Sequence, residues 1–279
     1  MNSKDDEKNQ SMRILNPFLP GRLGNIRHVL FDFDGTLSLL REGWESIMIP
    51  MMLEMIEPNH DHTIELITEV QEYIDRSTGI LTIHQMEWLV EAVKRHEHTD
   101  VVLSAAEYKA IYVRRILQTV NKRISSLDKG SGFKEDFMVK GAENFVSGLV
   151  NRGIILYLAS GTDHADVVRE AGVLDLKNYF QGGIYGALDS NEAHDKEMII
   201  QRILAENNLH GDELLVVGDG PVEIRIANAQ GALSLGVATD EIKRSGWNER
   251  KINRLVSAGA DVLIPDFSRS EFLINFFLP

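Results

Sequence analysis

Asp32-Phe33-Asp34-Gly35-Thr36 sets two carboxylates two residues apart, at the end of the apolar run His28-Val29-Leu30-Phe31. In extended backbone, residues i and i+2 point to the same side. The pair therefore suits one nucleophile with one proton donor, or two contacts to a metal. Gly35 allows a sharp turn after them. The same five residues also read as a turn with Asx caps, and the fully apolar strand before them favours the chemical reading. A second segment, Leu156-Tyr157-Leu158-Ala159-Ser160-Gly161-Thr162-Asp163, ends an apolar strand in a hydroxyl and a glycine. It offers Oγ and free backbone N–H groups to an anion, or it is an ordinary strand–turn–helix junction; on either reading Asp163 is expected to cap the helix. Lys196, in Asp195-Lys196-Glu197, opens a helix. A lone helical lysine is usually solvated, and only its place among the other clusters sets it apart. In Gly218-Asp219-Gly220-Pro221-Val222-Glu223 two acids lie four apart on a Gly-Pro turn. One can sit on a hard metal with the other behind it, or the pair simply caps the turn.

These residues need elements to hold them. Strand signals at 28–31, 154–159, 183–187, 214–217, 233–237 and 262–264 alternate with helix signals at 142–151, 163–171, 196–206 and 223–229. Such alternation predicts a parallel sheet with right-handed crossovers, whose strand ends share one edge where ligands bind. Between 39 and 129 glycine almost vanishes and apolar residues recur at helical spacing, as in Ile64, Ile67, Val70 and Ile74, and in Met86, Leu89, Val90 and Val93. This is a helical insert of about 90 residues, left through the turn Lys129-Gly130-Ser131-Gly132. Residues 1–25 are expected to form a partly disordered tail, the stretch after about residue 12 being an irregular lead with Pro17, Pro20, Gly21 and Gly24.

The chain has 279 residues, with 29 Lys and Arg against 42 Asp and Glu, giving a formal net charge of −13; 43% are hydrophobic and none is cysteine. This apolar content sustains a sizeable core. The lack of cysteine excludes disulfides, thiolate zinc sites and a cysteine nucleophile, and fits a reducing cytosol. The acidic balance argues against nonspecific nucleic-acid binding. No apolar run approaches the ~18 residues that span a bilayer, and the polar MNSKDDEKNQ start is unlike a signal peptide. A cytoplasmic protein with neither nucleic-acid nor membrane partners is expected. Its acidity should repel anionic substrates unless something local reverses the field.

Taken together, the Asp-x-Asp-Gly-Thr motif, the strand ending in Ser160-Gly161, Lys196 and the Gly-Asp-x-x-x-Glu motif resemble, in order and spacing, the haloacid dehalogenase-like superfamily of phosphohydrolases. The resemblance runs from about His28 to the C-terminus. The insert looks like the helical, C1-type cap of the β-phosphoglucomutase-like branch. One departure is Glu223 where Asp is commoner.

The resemblance implies an α/β fold: a Rossmann-like parallel-sheet core formed by 26–38 and 130–279, with an α-helical cap over 39–129. It implies that Asp32 is a nucleophile forming an aspartyl-phosphate and that Asp34 acts as general acid and then base. Ser160, Gly161, Thr162 and Lys196 would hold the phosphoryl oxygens. Mg²⁺ would rest on Asp32, the Asp34 carbonyl and Asp219, supported by Glu223. The implied activity is a Mg²⁺-dependent phosphatase for a small phosphorylated metabolite, for instance a sugar phosphate. A β-phosphoglucomutase-type phosphomutase and a noncatalytic binding protein are the alternatives. Arg41, Trp44, Arg76 and Thr78 are candidate specificity residues of the cap; against that, Arg41 also reads as an exposed arginine, Trp44 as a core tryptophan, and Ser77 or Thr78 as the start of the helix bearing Gln85 and Trp88.

Overall fold

His28–Phe31 is buried at every position, as a parallel strand covered on both faces must be. Val29 and Phe31 pack on one layer with Phe145, Leu149 and Val167. Leu30 packs on the other with Ile199, Ile203 and Val216. The structure, a computed structural model, describes residues 11–58, 61–187 and 195–279.

Strands β1 (Arg13–Ile14) and β2 (His28–Phe31) precede the helices α1 (Glu45–Ile56), α2 (Ile64–Ser77), α3 (Thr82–His96) and α4 (Ala105–Asp128). Then come α5 (Ala142–Asn151), β3 (Ile155–Asp163), α6 (His164–Val173), β4 (Gly183–Ala187) and α7 (Lys196–Glu206). The chain continues through β5 (Leu214–Gly218), α8 (Pro221–Ala229), β6 (Leu233–Val237), α9 (Glu249–Ala258), β7 (Val262–Ile264) and α10 (Ser270–Phe277). The sheet order is β1-β7-β6-β5-β2-β3-β4. All pairs are parallel except β1 with β7. The expected α/β architecture, a parallel sheet with helices inserted after its first core strand, is the one observed.

The structure departs from the sequence reading at the start of the chain. The irregular lead after residue 12 contains strand β1, which closes the sheet edge against β7, and Met12 and Leu19 are buried. A two-residue strand leaves no alternation to read, and the pairing that holds it is long-range. Residues 1–10 of the expected tail lie outside the described residues.

The first four helices gather around apolar contacts of their own. Met48, Met51, Met52 and Ile56 of α1 meet Val70 and Ile74 of α2, Leu89 and Val93 of α3, and Tyr108 and Ile116 of α4. A capping box at Ser104 and Glu107 starts α4, satisfying the free amides of its first turn. The two connections to the sheet run side by side. Leu39 N–H donates to Phe137 O (2.8 Å) and Val139 N–H to Leu37 O (3.1 Å). Arg123 of α4 fastens the outgoing connection, with one guanidinium nitrogen donating to the carbonyls of Leu39, Leu40 and Glu42 and the other to the Glu42 carboxylate (2.6 Å).

Candidate active site

β2, β3 and β5 are adjacent and in register, Phe31 lying beside Leu158 and Val217. Their carboxyl ends therefore deliver Asp32 and Asp34, Ser160, and Asp219 to one edge. Gly35, at φ +79°, makes the turn after the first pair, and a Cβ there would press on the Asp219 carboxylate. The turn is thus a requirement of the site.

Asp32 is buried. Its Oδ1 accepts from Lys196 Nζ (2.6 Å) and its Oδ2 from Thr36 Oγ1 (3.1 Å). Lys196, the first residue of α7, also donates to Glu223 Oε2 (3.1 Å). Thr36 Oγ1 lies within 3.3 Å of Asp219 Oδ1 as well. Burial pushes the Asp32 carboxyl up to about 8; Lys196 works against this, while Glu223 and Asp219 add to it. Burial would lower Lys196, but Asp32 and Glu223 more than reverse the effect and hold the ammonium above its ordinary value.

Asp34 has different company. Its Oδ2 accepts from Ser160 Oγ (2.9 Å) and Thr162 Oγ1 (3.1 Å). Its Oδ1 is buried with no hydrogen-bond donor among the described residues, and Arg41 Nε stands 3.8 Å away. Ser160, Gly161 and Thr162 lie on the irregular last part of β3, where pairing with β4 shifts register between Ala159 and Asp163. The stretch is extended as far as Asp163 and does not form the turn of the strand–turn–helix alternative. Asp163 precedes α6 as expected, yet its side chain makes no cap hydrogen bond and instead pairs with Lys109 of α4.

Asp32, Asp219 and Glu223 each bring a carboxylate oxygen within 4.8 Å of the others. An all-oxygen set of this kind suits a hard divalent cation. Glu223 is engaged at both oxygens, with Oε1 accepting from Gly220 N–H (2.8 Å) and Oε2 from Lys196. Asp219 Oδ2 meets Lys251 Nζ at 2.7 Å and an Arg254 guanidinium nitrogen at 3.4 Å, both from α9. Burial alone would raise Asp219, but these two cations hold it below the usual carboxylate range. Lys251 also pairs with Glu241 (2.6 Å).

The sequence reading missed Lys251, Arg254 and Glu241. The available signal was Asn248, whose side chain accepts from Lys251 N–H as an N-cap, followed by Ile252 and Leu255 at helical spacing. That pattern marks a helix but does not reveal that its cations face a buried carboxylate.

The cavity beside these groups is bounded on the sheet side by Asp32, Asp34, Ser160, Gly161, Thr162 and Asp219, and on the other by Arg41, Trp44, Thr78, Ile80, Thr82, Gln85 and Tyr112. Its volume is about 70 Å³, well below the 300 Å³ or more of typical small-molecule pockets. The four-helix insert lies closed over the strand ends. Thr82 Oγ1 donates to Gly161 O (3.3 Å), and a Cβ on Gly79 would collide with the Glu223 carboxylate. Lys196 and Glu223 stand behind Asp32 and do not line the cavity.

The four candidates on the insert separate. Trp44 and Thr78 line the cavity. Arg41 lines it too but is buried, not exposed, gripping Glu170 through Nε (3.1 Å) and a terminal nitrogen (2.6 Å). Arg76 is exposed and sits over the Tyr73 ring, away from the cavity. Ser77 and Thr78 end α2 instead of starting the next helix, which begins at Thr82; Thr78 Oγ1 donates back to Ile74 O (2.9 Å). The intervening Gly79, at φ +99°, breaks the helix.

Comparison with known proteins follows the same lines. The family model described as haloacid dehalogenase-like hydrolase matches residues 26–231. Among solved structures, a "predicted phosphatase" from Clostridium acetobutylicum superposes with a TM-score of 0.56 at 19% identity, covering 90% of this chain and 99% of that one. A "predicted phosphoglycolate phosphatase" from Haemophilus somnus gives 0.58 at 14%, covering 89% and 98%. A β-phosphoglucomutase from Clostridium difficile gives 0.57 at 14%, covering 90% and 97%. None of the curated proteins matches the chain.

Proposed function

Because the chain belongs to the haloacid dehalogenase-like hydrolase family, we propose that it is a Mg²⁺-dependent phosphatase of a small phosphorylated metabolite, working through an aspartyl-phosphate. The observation that carries this reading is the unlike surroundings of Asp32 and Asp34 at one strand end. Asp32 is fixed between Lys196 and Thr36, as a nucleophile aimed at phosphorus needs to be. Asp34 keeps one oxygen that meets no donor among the described residues, and that oxygen can hold a proton for the leaving alkoxide.

In this mechanism Asp32 attacks in line, forming an Asp32–phosphorus bond as the bond to the substrate oxygen breaks. Asp34 gives that oxygen its proton. The same carboxylate then takes a proton from the water that hydrolyses the acyl phosphate. The Ser160 hydroxyl and the backbone N–H of Gly161 would bind phosphoryl oxygens, with the Thr162 N–H, which donates to Ser160 Oγ (3.1 Å), orienting that hydroxyl and Lys196 balancing charge beside the nucleophile. Mg²⁺ would be held by Asp32, Asp219 and the Asp34 carbonyl, and when bound it supplies the charge that lets a carboxylate approach a phosphate dianion. Glu223, engaged at both oxygens, would position Lys196 and support the metal ligands from behind. Trp44, Thr78 and Tyr112 would meet the leaving group once the cap has opened and closed again.

The test is phosphate release from a panel of sugar phosphates, phosphoglycolate and nucleotides, with Mg²⁺ and after chelation. Mg²⁺-dependent release is expected, and no release across the panel would leave a binding role on the same fold. With β-glucose 1-phosphate, formation of glucose 6-phosphate in place of inorganic phosphate would overturn the hydrolase in favour of a phosphomutase.

A further inference from the structure

Arg254 touches both halves of the molecule. From α9, beyond the residues matched by the family model, one of its terminal nitrogens reaches Asp219 Oδ2 at 3.4 Å. The other faces the helical cap, lying 3.4 Å from Thr78 Oγ1, 3.6 Å from Glu45 Oε1 and 3.9 Å from Asp75 Oδ1. No contact is short, and Nε is buried without an acceptor among the described residues. The guanidinium is shared, and no single partner saturates it. One turn earlier, Arg250 makes closer pairs with the same cap acids, 3.1 Å to Glu45 and 2.8 Å to Asp75, but has no contact with Asp219. Lys251 holds Asp219 on the core side.

We propose that Arg254 is a positioning residue that couples the metal carboxylate Asp219 to the seating of the cap segment around Thr78. The coupling is electrostatic. When Asp219 shares its charge with a divalent cation, its pull on Arg254 weakens, and the guanidinium settles on Glu45, Asp75 and Thr78. Thr78 lines the cavity and Gly79 lies against Glu223, so a firmer hold there closes the cap over a loaded site. Arg250 fastens the cap without sensing Asp219. By reciprocity, a seated cap favours the cation. The inference rests on Asp219 being a metal carboxylate, as set out under Proposed function.

The test uses the full chain, with Mn²⁺ as the probe. Hydrogen exchange of the peptide covering 74–85 reports cap seating, and electron paramagnetic resonance titration reports Mn²⁺ binding separately. In the wild type, Mn²⁺ should slow exchange of this peptide by about 5-fold or more. Arg254→Met should still bind Mn²⁺ and lose that response, with Arg254→Lys recovering part of it. Arg250→Met should raise basal exchange yet keep the response, which separates coupling from simple fastening. If Arg254→Met fails to fold, Arg254→Gln carries the same comparison. A full Mn²⁺ response in a metal-binding Arg254→Met, or none in a wild type that binds Mn²⁺, would overturn the coupling. A wild type that binds no Mn²⁺ overturns instead the metal reading on which it rests.

Discussion

Asp32 and Asp34 leave the same strand two residues apart, yet they sit in opposite electrostatic neighbourhoods. On the Asp32 side, four carboxylates (Asp32, Asp219, Glu223 and Glu241) meet three cations (Lys196, Lys251 and Arg254) in a buried network. Formally this network carries one negative charge in excess, and a divalent cation would turn it positive. On the Asp34 side, two hydroxyls hold the carboxylate, and the nearest cation, Arg41, is already committed to Glu170. A charge-dense nest fixes a carboxyl group in place. A hydroxyl-lined one, with an oxygen left over, lets a group exchange a proton. The difference also bears on the question raised by the net charge of −13: at this site buried lysines and an arginine offset all but one of the four carboxylates.

The largest effect should come from breaking the Asp32 side. Asp32→Asn is expected to lower kcat by on the order of 10³-fold or more while the fold survives; near-wild-type turnover would remove Asp32 as nucleophile. Asp34→Asn should cost about 10²–10⁴-fold with an alkyl phosphate. It should cost far less with p-nitrophenyl phosphate, whose leaving group needs no proton. Equal losses on both substrates would erase the proposed division of labour.

A third prediction concerns stability on the Asp34 side. Burial pushes Glu170 from an ordinary 4.5 up to about 7, even with Arg41 opposing it. Between those values the folded chain keeps a proton that the unfolded chain has lost. The Glu170 contribution to stability is therefore full below about pH 4.5 and lost as pH rises through about 7. Urea unfolding of wild type against Glu170→Gln should show the wild-type advantage shrinking by roughly 2–3 kcal/mol between those limits. An advantage that grows with pH would reverse the sign. The smallest effect belongs to Arg76→Ala, which should leave KM unchanged and stability within about 0.5 kcal/mol, because this exposed side chain does not reach the cavity.

Asp32, Asp34, Ser160, Asp219 and the core strands were legible because a parallel sheet forces its strand ends together, and a buried strand announces itself as an apolar run. Lys196 was legible only in that company. Arg41 was singled out but its burial against Glu170 was not, and Glu170, Lys251 and Arg254 were not legible, since a charged residue on an amphipathic helix or loop looks solvated unless its partner is known. Their partners lie far off in sequence: Glu170 is supplied by α6 and Asp219 by the turn before α8. Arg76 failed for the converse reason. A helix end can be read from Gly79, but the direction of one side chain in its last turn depends on packing that the sequence does not display.

The paired connections flanking the four-helix insert also bear on how the chain reaches this state. β2 and β3 are neighbours in register, although the whole four-helix insert separates them. An open chain of that length must surrender loop entropy before the sheet's central pairing returns anything. Four helices with apolar contacts of their own, and Arg123 pinning Leu39, Leu40 and Glu42, would shorten that loop if they form first. An insert that collapses first brings Leu39 beside Phe137 and hands the two strands a short closure. The helices that close over the site would then also act early, as a clamp under which the sheet nucleates.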